Sequence, residues 1–172
     1  MQNFQQDLPK VSVIIPTYNR PALIQRAIKS VLNQTHQNFE IVIVDDSPND
    51  ETEKVVKSFN DQRIKYIKNK ERKGPSAARN QGIKASDPQS KYIAFLDDDD
   101  EYLPILLEKA VKKMEENSEI VMVCTDAEMR DEKGRFIREM RWNFNKDFWR
   151  QSIGNGSVVR RDLFFKEKSP NL

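Results

Sequence analysis

Short, unbroken apolar runs alternate along this chain with stretches in which apolar residues recur every three or four positions. The first run, Val11-Ser12-Val13-Ile14-Ile15, is mostly β-branched and is ended by Pro16, as expected of a strand buried on both faces in a parallel sheet. Thr17-Tyr18-Asn19-Arg20 follows. Pro21 then suits a first helical position, and Leu23, Ile24, Ala27, Ile28, Val31 and Leu32 recur with the spacing of one helix face. Phe39-Glu40-Ile41-Val42-Ile43-Val44 reads as the second strand, and Asp50-Glu51-Thr52-Glu53 has the spacing of a capping box opening a helix through Val55, Val56 and Phe59.

Residues 63–68 predict a shorter third strand, and Gly74-Pro75 breaks the chain before an Ala-containing helix over residues 76–85. Tyr92-Ile93-Ala94-Phe95-Leu96 is a further buried strand and runs straight into Asp97-Asp98-Asp99-Asp100-Glu101. Leu103, Leu106, Leu107, Ala110, Val111 and Met114 predict the fourth helix. This alternation predicts an α/β fold with a parallel, doubly wound sheet. From Glu119 onward the pattern changes. Residues 120–126 and 135–140 flank the turn-rich Asp131-Glu132-Lys133-Gly134 and read as a hairpin. There is no internal repeat, low-complexity tract or interdomain linker.

At 172 residues the chain has the length of one ordinary domain, and its 37% hydrophobic and 33% charged residues suit a soluble globular protein. No window holds the roughly 18 consecutive apolar residues of a membrane span, and the start MQNFQQDLPK lacks the zones of a signal peptide, so a cytoplasmic location is expected. A net charge of +2 gives no reason to expect a nucleic-acid partner. Lys65, Lys68, Lys70, Arg72 and Lys73 form a basic run best read as a solvated face. A second basic stretch, residues 160–168, offers peripheral contact with anionic lipid at the inner membrane surface if the acceptor is membrane-bound. With one cysteine, Cys124, and one histidine, His36, neither a disulfide framework nor a site of several His ligands can be built, so a bound metal must be held by oxygen.

In an open α/β sheet, ligands bind beyond the carboxyl ends of the strands. Three polar loops fall there: Thr17-Tyr18-Asn19, Asp45-Asp46, and Asp97 through Asp100. Four consecutive aspartates raise one another's pKa unless a cation joins them. Mg²⁺ and Mn²⁺ favour carboxylate, water and phosphate oxygens, so such a site would complete its coordination with a diphosphate and neutralise charge on a departing nucleoside diphosphate. Plainer readings stand beside these. Residues 97–101 could sit at a helix N-terminus for the macrodipole alone. Asp45-Asp46 could form an Asx-type turn with Ser47-Pro48, Tyr18 could be a packed loop aromatic, and Arg79 could be a surface residue or could aim its fork at phosphate. The chain has no G-x-G-x-x-G after the first strand, no G-x-x-x-x-G-K-[ST] and no G-x-S-x-G, which excludes dinucleotide, P-loop and hydrolase readings. A phosphate-accepting signalling domain would place an acidic pair where Pro16-Thr17 stands, and a nucleotidyltransferase would want a Gly-rich basic loop there.

The runs from Val11 to Arg20, Ser30 to Thr35 and Phe39 to Ser47 resemble, almost position by position, the opening of the family 2 glycosyltransferases, inverting enzymes of GT-A fold. Ala77-Ala78-Arg79-Asn80 with Gly82, and Tyr92 through Asp100, extend the resemblance, which covers residues 10–165. It implies a nucleoside diphosphate sugar as donor, a saccharide or lipid-linked acceptor, and Mn²⁺ or Mg²⁺ as cofactor. It further implies that Pro16, Thr17 and Tyr18 line the nucleobase pocket, that Asp46 accepts a hydrogen bond from the base, and that Arg79 faces the nucleotide. Asp97-Asp98-Asp99 correspond to the DxD motif: Asp97 and Asp98 approach ribose and metal, and Asp99 is the foremost metal ligand. Asp100 and Glu101 are left as helix-cap charges. Inverting members take their general base from a Glu-Asp pair further downstream, and this chain carries none after the Gly154–Phe165 stretch, so the catalytic base is unassigned, with Asp126 as an acceptor-side candidate. One nucleotide-sugar-binding domain over residues 1–172, C-terminally incomplete, is expected; the alternative to a working transferase is a truncated or degenerate donor-binding module without efficient transfer.

Overall fold

The computed structural model describes residues 8–131, 133–141 and 156–165. Its main sheet has six strands, which lie in the order of residues 64–68, 39–45, 11–17, 92–95, 157–160 and 122–124. β1 (Val11–Thr17), β2 (Phe39–Asp45), β3 (Ile64–Lys68) and β4 (Tyr92–Phe95) are mutually parallel where they pair. β8 (Ser157–Arg160) lies antiparallel between β4 and β5 (Met122–Cys124). The predicted α/β, mainly parallel, doubly wound sheet is therefore the architecture found.

Residue alternation along β1 explains the two layers. Val11, Val13 and Ile15 join Ile24, Ile28 and Val31 of α1 (Pro21–Leu32), Val56 of α2 (Glu51–Ser58) and Leu107, Val111 and Met114 of α4 (Leu106–Glu116) in one core. Ile14 points the other way and packs with Val42, Ile93, Phe95, Val159 and Ile83 of α3 (Pro75–Ala85). Because α3 crosses to the second face, the chain leaves β1 toward β2 on one side and returns as β4 on the other. That reversal opens a crevice at the carboxyl ends of β1 and β4, where open α/β sheets bind ligands.

Four local expectations need correction. Pro16 does not end the first strand but lies within it, paired in register with Val44. Odd-numbered residues of β1 bond toward β2, as Val11 and Thr17 do, whereas Ile14 bonds toward β4 through Leu96. The missing N–H of Pro16 thus falls on the β4 side, beyond the last paired residues, Ile14 and Phe95. The Asp50 side chain caps nothing; it pairs with Lys68, and the Asn49 carboxamide oxygen takes the Glu51 N–H instead. Leu103 lies before α4 and is largely exposed. The hairpin is formed by β6 (Ala127–Arg130) and β7 (Phe136–Met140), while the residues just before β6 form β5 and join the main sheet. An apolar triplet such as Met122-Val123-Cys124 pairs equally well with either neighbour, so its partner is decided by chain packing.

Candidate functional site

Three strand ends converge on the crevice. Thr17 closes β1, the Asp46 N–H donates to the Thr17 carbonyl at 3.0 Å, and the Asn69 N–H donates to the Asp45 carbonyl at 2.8 Å. Residues 97–99 enter the crevice directly after β4. The Thr17 hydroxyl donates to Asp98 Oδ2 at 2.7 Å, a bond that spans the crevice from β1 to the loop after β4. Arg20 Nη1 donates to Asp98 Oδ1 at 3.0 Å and to Asp99 Oδ2 at 2.8 Å. Arg79, on the first turns of α3, donates through Nη2 to Asp97 Oδ1. The structure thus gathers Thr17, Arg79, Asp97, Asp98 and Asp99 and adds Arg20, to which the sequence reading gave no role.

The three carboxylates differ in what holds them. Asp98 is only 5% exposed and has a donor on each oxygen. Asp99 is 48% exposed on its side chain and is held through one oxygen by a guanidinium exposed to the same degree. A surface pair of that kind is worth about 0–1 kcal/mol, so the Arg20–Asp99 contact costs little to exchange, whereas the buried Asp98 cluster is costly to disturb. Hydrogen bonding to Asp98, then the charges of Asp98 and Asp99, hold Arg20 above its ordinary pKa. Desolvation, followed by the charges of Asp99, Asp97 and Asp98, holds the Asp100 carboxyl above the usual carboxylate range.

Asp45 and Asp46 divide their work. Asp45 is fully buried; it accepts from the Ser47 N–H at 2.7 Å and from the Tyr66 hydroxyl at 2.6 Å, so the Asx-type turn holds for this residue. Burial first, and the bond to Asp45 second, push the Tyr66 hydroxyl far above its ordinary pKa. Asp46 accepts from Asn69 Nδ2 at 2.8 Å, from the Lys73 N–H at 2.8 Å and from the Gly74 N–H at 2.7 Å. Those two amides suspend the loop between β3 and α3 from the end of β2. Gly74, at φ +85°, makes the turn that L side chains rarely adopt. The suspended loop lays the Arg72 guanidinium over the Tyr18 ring, 4.2 Å from its centroid. Tyr18 is 38% exposed and Pro16 is buried in the sheet, so of these two β1-end residues the ring is the one that faces outward. The basic run stays exposed at Lys65, Lys70, Arg72 and Lys73, as a solvated face would, with Arg72 over Tyr18, Lys65 on the Ala85 carbonyl and Lys68 paired with Asp50.

Two readings of the acidic stretch are corrected. α4 begins at Leu106, too far along for residues 97–101 to sit in its first turn, so the macrodipole does not account for them. Asp100 and Glu101 are not helix-cap charges either: the Asp100 N–H closes a turn on the Asp97 carbonyl, and Glu101 pairs with Arg26 of α1. Among the described residues, no group of three or more His, Cys, Asp or Glu side chains could by itself cage a metal. The donor set instead fits a divalent ion that draws most of its oxygens from diphosphate and water, with one or two carboxylates from the protein. Arg79 Nε, buried and with no hydrogen-bond partner among the described residues, leaves a cationic donor short of an acceptor at the same place. Beyond β5, whose direction matches β4, the exposed Asp126 lies at the same edge of the sheet. The residues from 142 to 155 and beyond 165, including the end of the second basic stretch, lie outside the described residues. Among the described residues no helix is long and apolar enough to cross a membrane.

Comparison with known proteins agrees with this fold. The family model described as "Glycosyl transferase family 2" matches residues 12–166. A Campylobacter jejuni protein named GalNAc(5)-diNAcBac-PP-undecaprenol beta-1,3-glucosyltransferase is 34% identical over 164 residues, covering 94% of this chain and 49% of its own. S. aureus TarS 1-349 in complex with UDP superposes with a TM-score of 0.70 at 23% identity, over 91% of this chain and 48% of that one. Mannosyltransferase PcManGT from Pyrobaculum calidifontis, in complex with GDP-Man and Mn²⁺, gives 0.68 at 20% identity, over 94% and 47%. This chain spans about half the length of each of these three. The mainly parallel α/β sheet and a family model matched over residues 12–166 place this chain in glycosyl transferase family 2.

Proposed function

We propose that the crevice binds a nucleoside diphosphate sugar and that the protein transfers the sugar, with inversion, to a hydroxyl of a saccharide or lipid-linked acceptor. The observation that carries this is the crossing of the crevice by Thr17–Asp98 and Arg20–Asp99, beside Arg79–Asp97, which sets carboxylates and guanidiniums together where a diphosphate would lie. Tyr18 offers its ring to the nucleobase. Asp46, its Oδ2 engaged by two backbone amides and its Oδ1 by Asn69, has a lone pair left on Oδ1 for a base N–H. Pro16 and Thr17 form the floor of the base pocket, and Arg79 turns toward the diphosphate. Asp97 and Asp99 hold a divalent ion, Mn²⁺ or Mg²⁺, with Asp98 positioned close to the ribose. When bound, that ion stabilises the negative charge of the departing diphosphate.

The UDP and GDP-Man complexes of the two solved relatives, and the undecaprenol-linked acceptor in the Campylobacter relative's name, support this choice of donor class and acceptor class. Calorimetric titration of UDP and GDP, each with Mn²⁺ and with EDTA, tests it. Tight binding only with Mn²⁺, lost on Asp99→Ala, is expected; equal binding in EDTA, or binding indifferent to Asp99→Ala, rejects the metal assignment. Binding of neither nucleotide rejects the donor site.

A further inference from the structure

Arg20 is the one cation between Val11 and Gln25, and the fold treats its backbone and its side chain differently. The backbone is fixed: Asn19 before it stands at φ 56°, with its N–H on Ser47 Oγ at 2.7 Å, and the Arg20 carbonyl accepts the Ile24 N–H at 3.1 Å in the first turn of α1. The side chain is half exposed and reaches from that fixed point across the crevice, where one nitrogen, Nη1, serves both Asp98 and Asp99. Asp98 would stay in place without it, because Thr17 holds the other oxygen from a buried position. Asp99 has no such second anchor among the bonds described, and half of its side chain lies in solvent.

We propose that Arg20 is a positioning residue that exchanges partners as the site loads. In the unloaded protein it supplies the positive charge that keeps Asp98 and Asp99 side by side. When a diphosphate arrives with a divalent cation, the cation takes the Asp99 carboxylate in place of Arg20. The guanidinium, still tethered through Asp98, turns its remaining N–H groups to the diphosphate oxygens. The chemistry suits the exchange: a guanidinium and a divalent ion compete for one carboxylate oxygen, and the guanidinium fork matches phosphate. No other residue described here both touches the exposed carboxylate and sits on a backbone fixed at the crevice mouth. The inference rests on the donor-site reading above, and its test separates the two.

The experiment compares wild type with Arg20→Gln and Arg20→Lys, with circular dichroism and thermal melts to establish that each variant is folded. Mn²⁺ alone is titrated by the EPR signal of the free ion, and UDP and GDP are titrated calorimetrically in excess Mn²⁺. Two effects of opposite sign are expected. Arg20→Gln removes the competitor and binds Mn²⁺ alone about threefold or more tighter, while its binding of the diphosphate in excess Mn²⁺ weakens about fivefold or more. Arg20→Lys, a point charge with three donors and no planar fork, falls between. A purely structural role moves both affinities down together, and that result, or changes under about twofold in both, overturns the proposal. If Arg20→Gln melts below the assay temperature, Arg20→Lys decides, with Mn²⁺ binding no tighter than wild type counting against the exchange. Wild-type protein that binds neither UDP nor GDP overturns the donor-site reading and the diphosphate half of this proposal, while the Mn²⁺ titration still decides whether Arg20 competes for Asp99.

Discussion

Thr17→Val isolates the bond that closes the crevice. The substitution keeps the β-branch and the volume and removes one hydroxyl, so what is lost is the 2.7 Å bond to Asp98 Oδ2. Asp98 is 5% exposed, so that oxygen would be left buried with no donor in place of the hydroxyl. A hydrogen bond to a charged group contributes about 1.5–3 kcal/mol, and the extra apolar burial of the valine methyl returns about a third of that, leaving a net loss of about 1–2 kcal/mol. For a domain of this size the loss corresponds to a fall in Tm of about 2–8 °C. Stability change alone would not identify the bond, because replacing Thr by Val alters packing as well. The decisive assay is a double-mutant cycle in urea over Thr17→Val, Asp98→Ala and the pair, which removes the packing contribution common to both backgrounds. A coupling energy of about 1 kcal/mol or more is expected. If the two losses simply add to within about 0.5 kcal/mol, the bond across the crevice contributes nothing and the reasoning fails.

Other outcomes follow from single features of the fold. A Cβ on Gly82 would fall 2.4 Å from Ile14 Cγ2, a branch fixed next to the β1 backbone, so Gly82→Ala should cost about 1–3 kcal/mol of overpacking against a helix-propensity gain of about 1; urea unfolding showing a stabilised variant would contradict the close approach of α3 to β1. His36 is buried with Nε2–H donating to the Pro9 carbonyl at 2.9 Å, and burial depresses its pKa despite backbone bonds that oppose the shift. Its neutral form therefore contributes stability that is whole above about pH 6.5 and is lost as pH falls through the lower folded pKa, at up to about 1.4 kcal/mol per pH unit; His36→Gln should flatten that slope, and an imidazole C2–H resonance titrating at or above 6.5 would refute it. Tyr18→Ala should weaken UDP or GDP binding about tenfold by loss of stacking and leave inorganic pyrophosphate binding with Mn²⁺ unchanged; equal losses for both ligands would remove Tyr18 from the base pocket.

The parts of the fold that could be read from sequence are those in which one local cause dominates. The runs at Val11, Phe39 and Tyr92 are too apolar to lie anywhere but between two layers, and the face formed by Ile24, Ile28 and Val31 can only be helical. Reading fails where a residue has two equally good local partners. Met122-Val123-Cys124 joins β8 because Ser157–Arg160 returns to the sheet from more than 30 residues away, a contact no window of the sequence contains. Asp50 has capping geometry in sequence, but Lys68 of β3 lies within reach in space and takes it. Within the site, the crowding of Asp97 through Asp100 was legible because four like charges need a counter-cation wherever they fold. What the sequence left open was which cation answers. Arg20 is near Asp98 only because β1 and β4 are neighbours, although its position directly after the first strand and before Pro21 was the available signal.

Charge counting carries that point one step further. Four carboxylates, Asp97 through Asp100, face two guanidiniums, Arg20 and Arg79, so with all groups ionised the cluster is already negative before any ligand arrives. A diphosphate adds more negative charge to the same few ångströms, where burial first and the neighbouring aspartates second already hold the Asp100 carboxyl above the usual carboxylate range. The diphosphate and the divalent ion are therefore expected to favour each other's binding, and thermodynamic reciprocity fixes the size of the effect: whatever factor Mn²⁺ gives to nucleotide affinity, nucleotide must give to Mn²⁺ affinity. Removing one aspartate should loosen this coupling from both directions at once. Asp99→Asn, measured as Mn²⁺ affinity with and without UDP and as UDP affinity with and without Mn²⁺, should shrink both ratios equally. A variant that bound UDP less tightly but kept the full Mn²⁺ ratio would place the metal elsewhere than on Asp99.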